Sequence, residues 1–127
     1  MNIFGIGTDI VSVDRIKNSL KNKNFIKRVF NEKEIFKCKR LGSSINCYAK
    51  RFAAKEAFSK ALGTGISNGI NFNEIIILNK KSGKPYINVT GQTKKILLKK
   101  FKRKKSRISL SLSDEKKYAV AFVTISL

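Results

Sequence analysis

Apolar and polar positions along this chain fall into stretches of distinct spacing, and each stretch predicts an element. From Ile3 to Val13 the run Ile-Phe-Gly-Ile-Gly-Thr-Asp-Ile-Val-Ser-Val is rich in β-formers and predicts a strand. Ser12 and Asp14 are both suited to cap a helix carrying Arg15, Ile16 and Leu20. Lys21 to Asn24 is a polar break. Phe25 to Arg40 reads as a short helical piece and a longer one. Asn31 with Glu34 three residues on has the spacing of a capping box, and Ile35 and Phe36 begin its apolar side. Gly42, Ser43 and Ser44 make Leu41–Asn46 a loop. A long helix follows, from about Asn46 to Leu62, in which Ala53, Ala54, Ala57 and Ala61 are strong helix formers. Phe52 and these alanines supply an apolar side suited to close packing. Gly63 and Gly65 stand where a left-handed cap is expected.

After Gly69 the period shortens. Glu74 to Leu78 is a β-branched run, 79–84 is a turn, and Pro85 to Thr90 pairs back as a hairpin. Tyr86, Asn88 and Thr90 alternate with Ile87 and Val89, which predicts one exposed face. Gln92 to Lys105 reads as a basic helix with Ile96, Leu97 and Phe101 facing inward. Arg107–Ser113 and Tyr118–Ser126, joined by the turn 114–117, form a second hairpin. The order strand, helices, hairpin, helix, hairpin predicts an α+β class built around an antiparallel sheet with a long central helix. The length of 127 residues, 42% of them hydrophobic, suits one domain over 1–127 with a core of its own.

Composition narrows the chemistry. No apolar run is long enough to span a bilayer, and the first residues lack the features of a signal peptide. Two cysteines, Cys38 and Cys47, and no histidine argue against structural zinc and against a Ser-His-Asp triad. Reduced thiols in a cytoplasmic protein are the default expectation. The net charge of +20 has three readings. One is a polyanion partner such as nucleic acid. A second is an acidic protein or a phosphorylated cofactor. A third is a surface decorated with lysine by an AT-rich genome.

Two carboxylates stand out. Asp9 lies inside an apolar run, where an acid is costly unless something pairs with it. Gly5 and Gly7 before it suggest close approach by another backbone or a ligand. Glu56 is the one acid among Lys50, Arg51, Lys55 and Lys60. Glu56 and Lys60 share a helix face, so a solvated i,i+4 ion pair is one reading. The other is a metal carboxylate, with Asp9 as its second, amid cations for an anionic ligand.

At these residues the chain resembles a known family. Gly5-Ile-Gly-Thr-Asp-Ile-Val followed by Arg15-Ile16 is similar to the opening motif of the holo-[acyl-carrier-protein] synthases, the short bacterial 4'-phosphopantetheinyl transferases. Residues 51–66, Arg-Phe-Ala-Ala-Lys-Glu-Ala-Phe-Ser-Lys-Ala-Leu-Gly-Thr-Gly-Ile, resemble the second motif, and Gly83-Lys-Pro85 and the closing Ser-Leu-Ser-Asp-Glu-Lys-Lys-Tyr-Ala-Val-Ala resemble two further landmarks.

The resemblance implies a 4'-phosphopantetheinyl transferase-like fold. It also implies transfer of the phosphopantetheine arm of coenzyme A to a serine of apo acyl carrier protein for fatty acid synthesis, with release of adenosine 3',5'-bisphosphate. By the same resemblance Asp9 and Glu56 hold Mg²⁺, which suits oxygen ligands, and Asp9, Glu56 and Lys60 are the catalytic set. Arg51, Phe52, Lys60, Gly63, Gly65, Gly83, Lys84, Pro85 and Ser113 are implied to bind coenzyme A. Arg15, and more weakly Lys27 and Arg28, are implied to dock the acidic carrier protein. A homotrimer with active sites at subunit boundaries is implied as well. Many relatives carry Ser-His where this chain has Ser113-Asp114, so a histidine contact to the nucleotide is excluded. The base that takes the serine proton is left open between a water on the metal and Glu56 acting through a water.

Two rivals belong to other classes. A nucleic-acid module needs aromatics interleaved with basic residues on a sheet face; Phe101 and Tyr118 do not form such a set, so no specific nucleic acid is expected. A non-catalytic carrier-binding relative is disfavoured by Asp9, Glu56 and Lys60 occurring together.

Overall fold

The structure, a computed structural model, describes residues 2–63 and 69–127. Strand β1 (Ile3–Ser12) runs into helix α1 (Val13–Ser19), and helices α2 (Lys23–Val29), α3 (Glu32–Lys39) and α4 (Ser44–Leu62) follow. A 3-10 turn (Phe72–Glu74) leads into the hairpin β2 (Ile75–Asn79) and β3 (Pro85–Val89). Helix α5 (Gly91–Lys100) then precedes the hairpin β4 (Arg107–Asp114) and β5 (Tyr118–Ser126). The strands divide between two antiparallel sheets, β1-β5-β4 and β2-β3. The expected α+β class is present, with two sheets in place of one.

Caps set most helix starts. Ser12, not Asp14, caps α1: its hydroxyl accepts from the Arg15 N–H at 3.3 Å. Asn22, inside the expected polar break, caps α2 through its side-chain oxygen. Asn31 and Glu34 form the reciprocal capping box at α3 that their spacing predicts. Helix α4 begins at Ser44, two residues before the expected start, and ends on Gly63 at φ 81°, where a residue without Cβ is favoured. Gly65 lies outside the described residues. Helix α5 stops at Lys100, short of the expected Lys105: Lys102 and Arg103 have φ of 52° and 61°, left-handed values that a helix cannot carry.

The central helix is buried on nearly every side, by small and aromatic side chains and also by the charged Arg51 and Lys55, so its buried surface is wider than one apolar stripe. Ala49, Ala53, Ala54, Ala57 and Phe58 are fully buried. Strand β1 lies so close against it that a Cβ at Gly7 would come within 1.9 Å of the Ala57 carbonyl oxygen, and one at Gly5 within 1.9 Å of that of Ala61. The partner that these strand glycines make room for is therefore the backbone of α4. Two side chains of α4, Arg51 and Lys55, are buried and charged, and the Lys55 ammonium donates to Glu34 Oε1 at 2.7 Å, to the Phe72 carbonyl at 2.8 Å and to the Ile75 carbonyl. Glu34 in turn accepts from the Ile77 N–H at 3.1 Å. This pair ties α3, the 3-10 turn and β2 to the central helix.

The cysteines correct the expectation of free thiols. Cys38 on α3 and Cys47 on α4 are joined by a disulfide. Crossing of the two helices brings their Cα atoms to 5.5 Å, within the usual range for such a bond. No helix among the described residues is long and apolar enough to cross a membrane.

Candidate active site

The register of β1 against β5 pairs Asp9 with Ala121. Because side chains alternate along a strand, Asp9 leaves β1 on the same face as Gly5 and Gly7, toward α4. The glycines remove the side chains that would hold the two backbones apart. Lys60, one turn beyond Glu56 on α4, then reaches Asp9: its Nζ lies 3.1 Å from Asp9 Oδ1 and donates to the Thr8 carbonyl at 3.0 Å. The i,i+4 pairing of Glu56 with Lys60 is not what forms; Lys60 is held across the interface instead.

Glu56 lies beside this pair. Its carboxyl is pushed above the ordinary glutamate range, first by burial and then by the Asp9 carboxylate; Lys60 and Arg15 oppose the shift. Two acids that repel one another, with only cationic side chains to offset them, form a site that favours an added cation. Among the described residues no cluster of three or more aspartate, glutamate, cysteine or histidine side chains is poised for a metal. Any ion held by Asp9 and Glu56 would therefore draw its remaining ligands from water or from substrate oxygens.

A second constellation sits at the other end of α4. Arg51 is buried; its Nη2 donates to Asn79 Oδ1 at 2.9 Å and its Nη1 to Cys47 Sγ at 3.2 Å, while its Nε has no hydrogen-bond partner among the described residues. Lys37 Nζ shares the same Asn79 oxygen at 2.7 Å. Burial and the neighbouring Arg51 and Lys50 lower the Lys37 pKa, so positive charge is concentrated here. These side chains line a cavity of about 300 Å³ together with Lys50, Asn46 and Asp114. Asn79 also donates to the Gly83 carbonyl at 3.0 Å, which couples the cavity to the β2–β3 turn. Gly83 takes φ 93°, the left-handed value that a glycine accommodates in that turn. Lys84 and Pro85 line a separate cleft of about 510 Å³ against β4 and β5.

The structure thus brings Asp9, Glu56 and Lys60 into one group, and Arg51 and Gly83 into another through Asn79. Other expected residues stand apart. Phe52 packs among Phe25 and Phe72, with ring centroids 6.0 Å from each, away from the Arg51 cavity. Ser113 is exposed in register with Val120, and the neighbouring Asp114 is the side chain that lines the cavity. Among the described residues nothing lies within 4 Å of where a Cβ at Gly63 would stand. Arg15, Lys27 and Arg28 are exposed on α1 and α2. Asn79, Lys37 and Asn46 were not anticipated, while Lys50 was among the cations that the sequence groups around Glu56. Asn79 reads as a turn residue in sequence, and nothing in its spacing signals a partner on α4.

Residues 5–123 match the family described as the 4'-phosphopantetheinyl transferase superfamily, which sets the class of the protein. A holo-[acyl-carrier-protein] synthase of Pelagibacter ubique is 54% identical over 125 residues, 98% of each chain. The solved holo-[acyl-carrier-protein] synthase of Neisseria meningitidis is 40% identical with a TM-score of 0.86, over 98% of this chain and 99% of that one. A Bacillus anthracis holo-(acyl-carrier-protein) synthase in complex with CoA (3',5'-ADP) is 35% identical with a TM-score of 0.80, over 98% and 97%. The chain belongs to this family and is an enzyme of the holo-[acyl-carrier-protein] synthase class.

Proposed function

We propose that the chain, as a single domain over 1–127, moves the 4'-phosphopantetheine arm of coenzyme A to a serine of apo acyl carrier protein for fatty acid synthesis, using Mg²⁺. The observation that carries this reading is Lys60 bonded to Asp9 at 3.1 Å beside a Glu56 of raised pKa. The serine oxygen forms a bond to the phosphorus that bears pantetheine. The bond from that phosphorus to the bridging pyrophosphate oxygen breaks, and adenosine 3',5'-bisphosphate leaves. The serine proton passes to a base.

The residues fit the ion. Asp9 and Glu56 are hard oxygen donors, and two carboxylates leave room for the waters and phosphate oxygens that magnesium retains. When bound, Mg²⁺ would neutralise the pyrophosphate and the charge that develops on the leaving group. The Asp9–Lys60 pair is half-exposed on the lysine side, so it is weakly held and exchangeable. Lys60 is then free to place its ammonium against a phosphate oxygen as a point charge. Arg51, Gly83, Lys84, Pro85 and Ser113 are proposed to contact the nucleotide end of coenzyme A, alongside Gly63 and Gly65. Phe52 is proposed to act at the carrier side instead: with Phe25, Arg28 and Phe72 it lines an apolar cavity of about 330 Å³. Arg15 and Arg28, with Lys27, suit an acidic carrier helix, and Arg15 lies close enough to Glu56 to lower its pKa.

A homotrimer with active sites at subunit boundaries is part of this reading. It is supported by an outward sheet face on which Ile6, Ile10 and Phe122 are 59%, 64% and 46% exposed, more than scattered surface residues account for. We place the reaction in the cytoplasm, with no membrane insertion. The test is the intact mass of an apo acyl carrier protein after incubation with this protein, coenzyme A and Mg²⁺. A gain of roughly 340 Da, lost with EDTA, is expected for a metal-assisted transfer; no gain with several apo carriers refutes the reading. Carrier binding is expected to weaken as salt rises, and a flat salt response removes Arg15 and its neighbours from docking.

A further inference from the structure

The cavity at the N-terminal part of α4 holds one acid, Asp114, among three cations, Lys37, Lys50 and Arg51. Lys37 and Arg51 are fixed by a neutral acceptor, Asn79 Oδ1. Lys50 is not: its Nζ lies 3.5 Å from Asp114 Oδ1, with both side chains about one-third exposed. The other carboxylate oxygen of Asp114 accepts from Asn46 Nδ2 at 2.8 Å, and the same amide donates to the Glu115 carbonyl at 3.1 Å. Asp114 therefore stands at the end of β4 with one oxygen anchored to α4 and the other turned to Lys50.

Three cations against one carboxylate leave a charge of +2 in the cavity. A phosphate monoester carries nearly two negative charges at neutral pH. A phosphodiester carries one. Coenzyme A has one phosphate monoester, on its nucleotide end, and the pyrophosphate belongs at the Asp9–Glu56 end of the helix.

We infer that Asp114 is a positioning residue that determines specificity for the 3'-phosphorylated donor. It holds the Lys50 ammonium at the mouth of the cavity, so that Lys50 and Arg51 together receive the terminal phosphate monoester. Its own negative charge does not touch the phosphate; it spares the long Lys50 side chain the entropy of being fixed on binding. This inference rests on the proposed use of the cavity for the nucleotide end of coenzyme A.

The experiment compares coenzyme A with dephospho-coenzyme A, which lacks the monoester, as donors to apo carrier protein. Wild type is expected to prefer coenzyme A through KM. In Asp114→Asn the KM for coenzyme A rises roughly three- to fivefold, the size of a partly exposed ion pair, with kcat kept and the KM for dephospho-coenzyme A unchanged. Lys50→Gln loses about tenfold, as one charged hydrogen bond does, and adding Asp114→Asn to it costs nothing more. Asp114→Glu restores discrimination. Equal use of the two donors by wild type overturns the use of the cavity for the phosphate. Preference in wild type that survives intact in Asp114→Asn, or strengthens there, overturns the role of Asp114 alone. Equal losses with both donors make Asp114 merely structural and overturn it as well.

Discussion

Adding one methyl group at Gly7 tests why the site exists where it does. The new Cβ would lie 1.9 Å from the Ala57 carbonyl oxygen, 2.8 Å from the Ala61 nitrogen and 2.9 Å from the Ala57 carbonyl carbon. All three are backbone atoms of α4, so no side chain can rotate away. Ordinary contact begins near 3.4 Å, which leaves about 1.5 Å to be found by moving β1 off the helix. Overpacking of this kind costs about 1–3 kcal/mol. In a chain of this size each kcal/mol lowers Tm by roughly 3–5 °C. The functional loss is expected to exceed the loss of stability, because Asp9 rides on β1 while Glu56 and Lys60 ride on α4. A displacement of about 1 Å between reacting groups is enough for a hundredfold loss of rate. The assay is urea unfolding together with the rate of carrier modification at a temperature where Gly7→Ala is still folded. Unchanged stability and unchanged turnover would refute the close packing of strand on helix as the device that assembles the site.

Other predictions follow from the same contacts. Lys55→Met leaves Glu34 buried without its cation and is expected to cost about 3–5 kcal/mol in urea unfolding, whereas apolar replacement of both partners costs much less; equal costs would contradict the pairing. Glu56→Gln is expected to raise the Tm of the metal-free protein at neutral pH. The Glu56 carboxyl has a folded pKa above its unfolded value, so ionising it as pH rises through that window lowers stability, and the neutral amide escapes this cost. A lower Tm would reverse that sign. Titration of Glu56 by carboxyl NMR in Asp9→Asn should shift to lower pH, since the second-ranked cause of its raised pKa is gone. Reducing the Cys38–Cys47 bond, which spans nine residues, is expected to lower stability by about 2–3 kcal/mol on the loop-closure account; no change in denaturation midpoint with reductant would argue against a formed bond.

Local signals in the sequence carried much of the fold. The capping box at Asn31 and Glu34, the alanine-rich central helix and both hairpins depend on neighbours within a few residues, and all form. Gly5 and Gly7 announced close packing without saying against what. The partner lies some fifty residues away, and only the fold supplies it. The same holds for Lys60: its spacing from Glu56 fitted a surface ion pair, but the approach of β1 offered Asp9 and the Thr8 carbonyl instead. Lys55 was read only as one of the bases around Glu56, and its burial against Glu34 depends on where α3 and β2 cross α4. The disulfide was hidden for a related reason. Whether Cys38 and Cys47 meet is set by the angle between two helices, which a two-cysteine count does not contain. Charge was the least informative feature, since +20 does not say which lysines are held in a cavity and which face water.

The most direct measurement is the turnover of Glu56→Gln with apo acyl carrier protein at saturating coenzyme A and Mg²⁺, set against wild type and followed by intact mass. The variant keeps the size of the side chain and removes only its charge. A fall of about a hundredfold or more in a folded protein is expected if Asp9, Glu56 and Lys60 form the site of transfer. Full turnover would contradict that assignment.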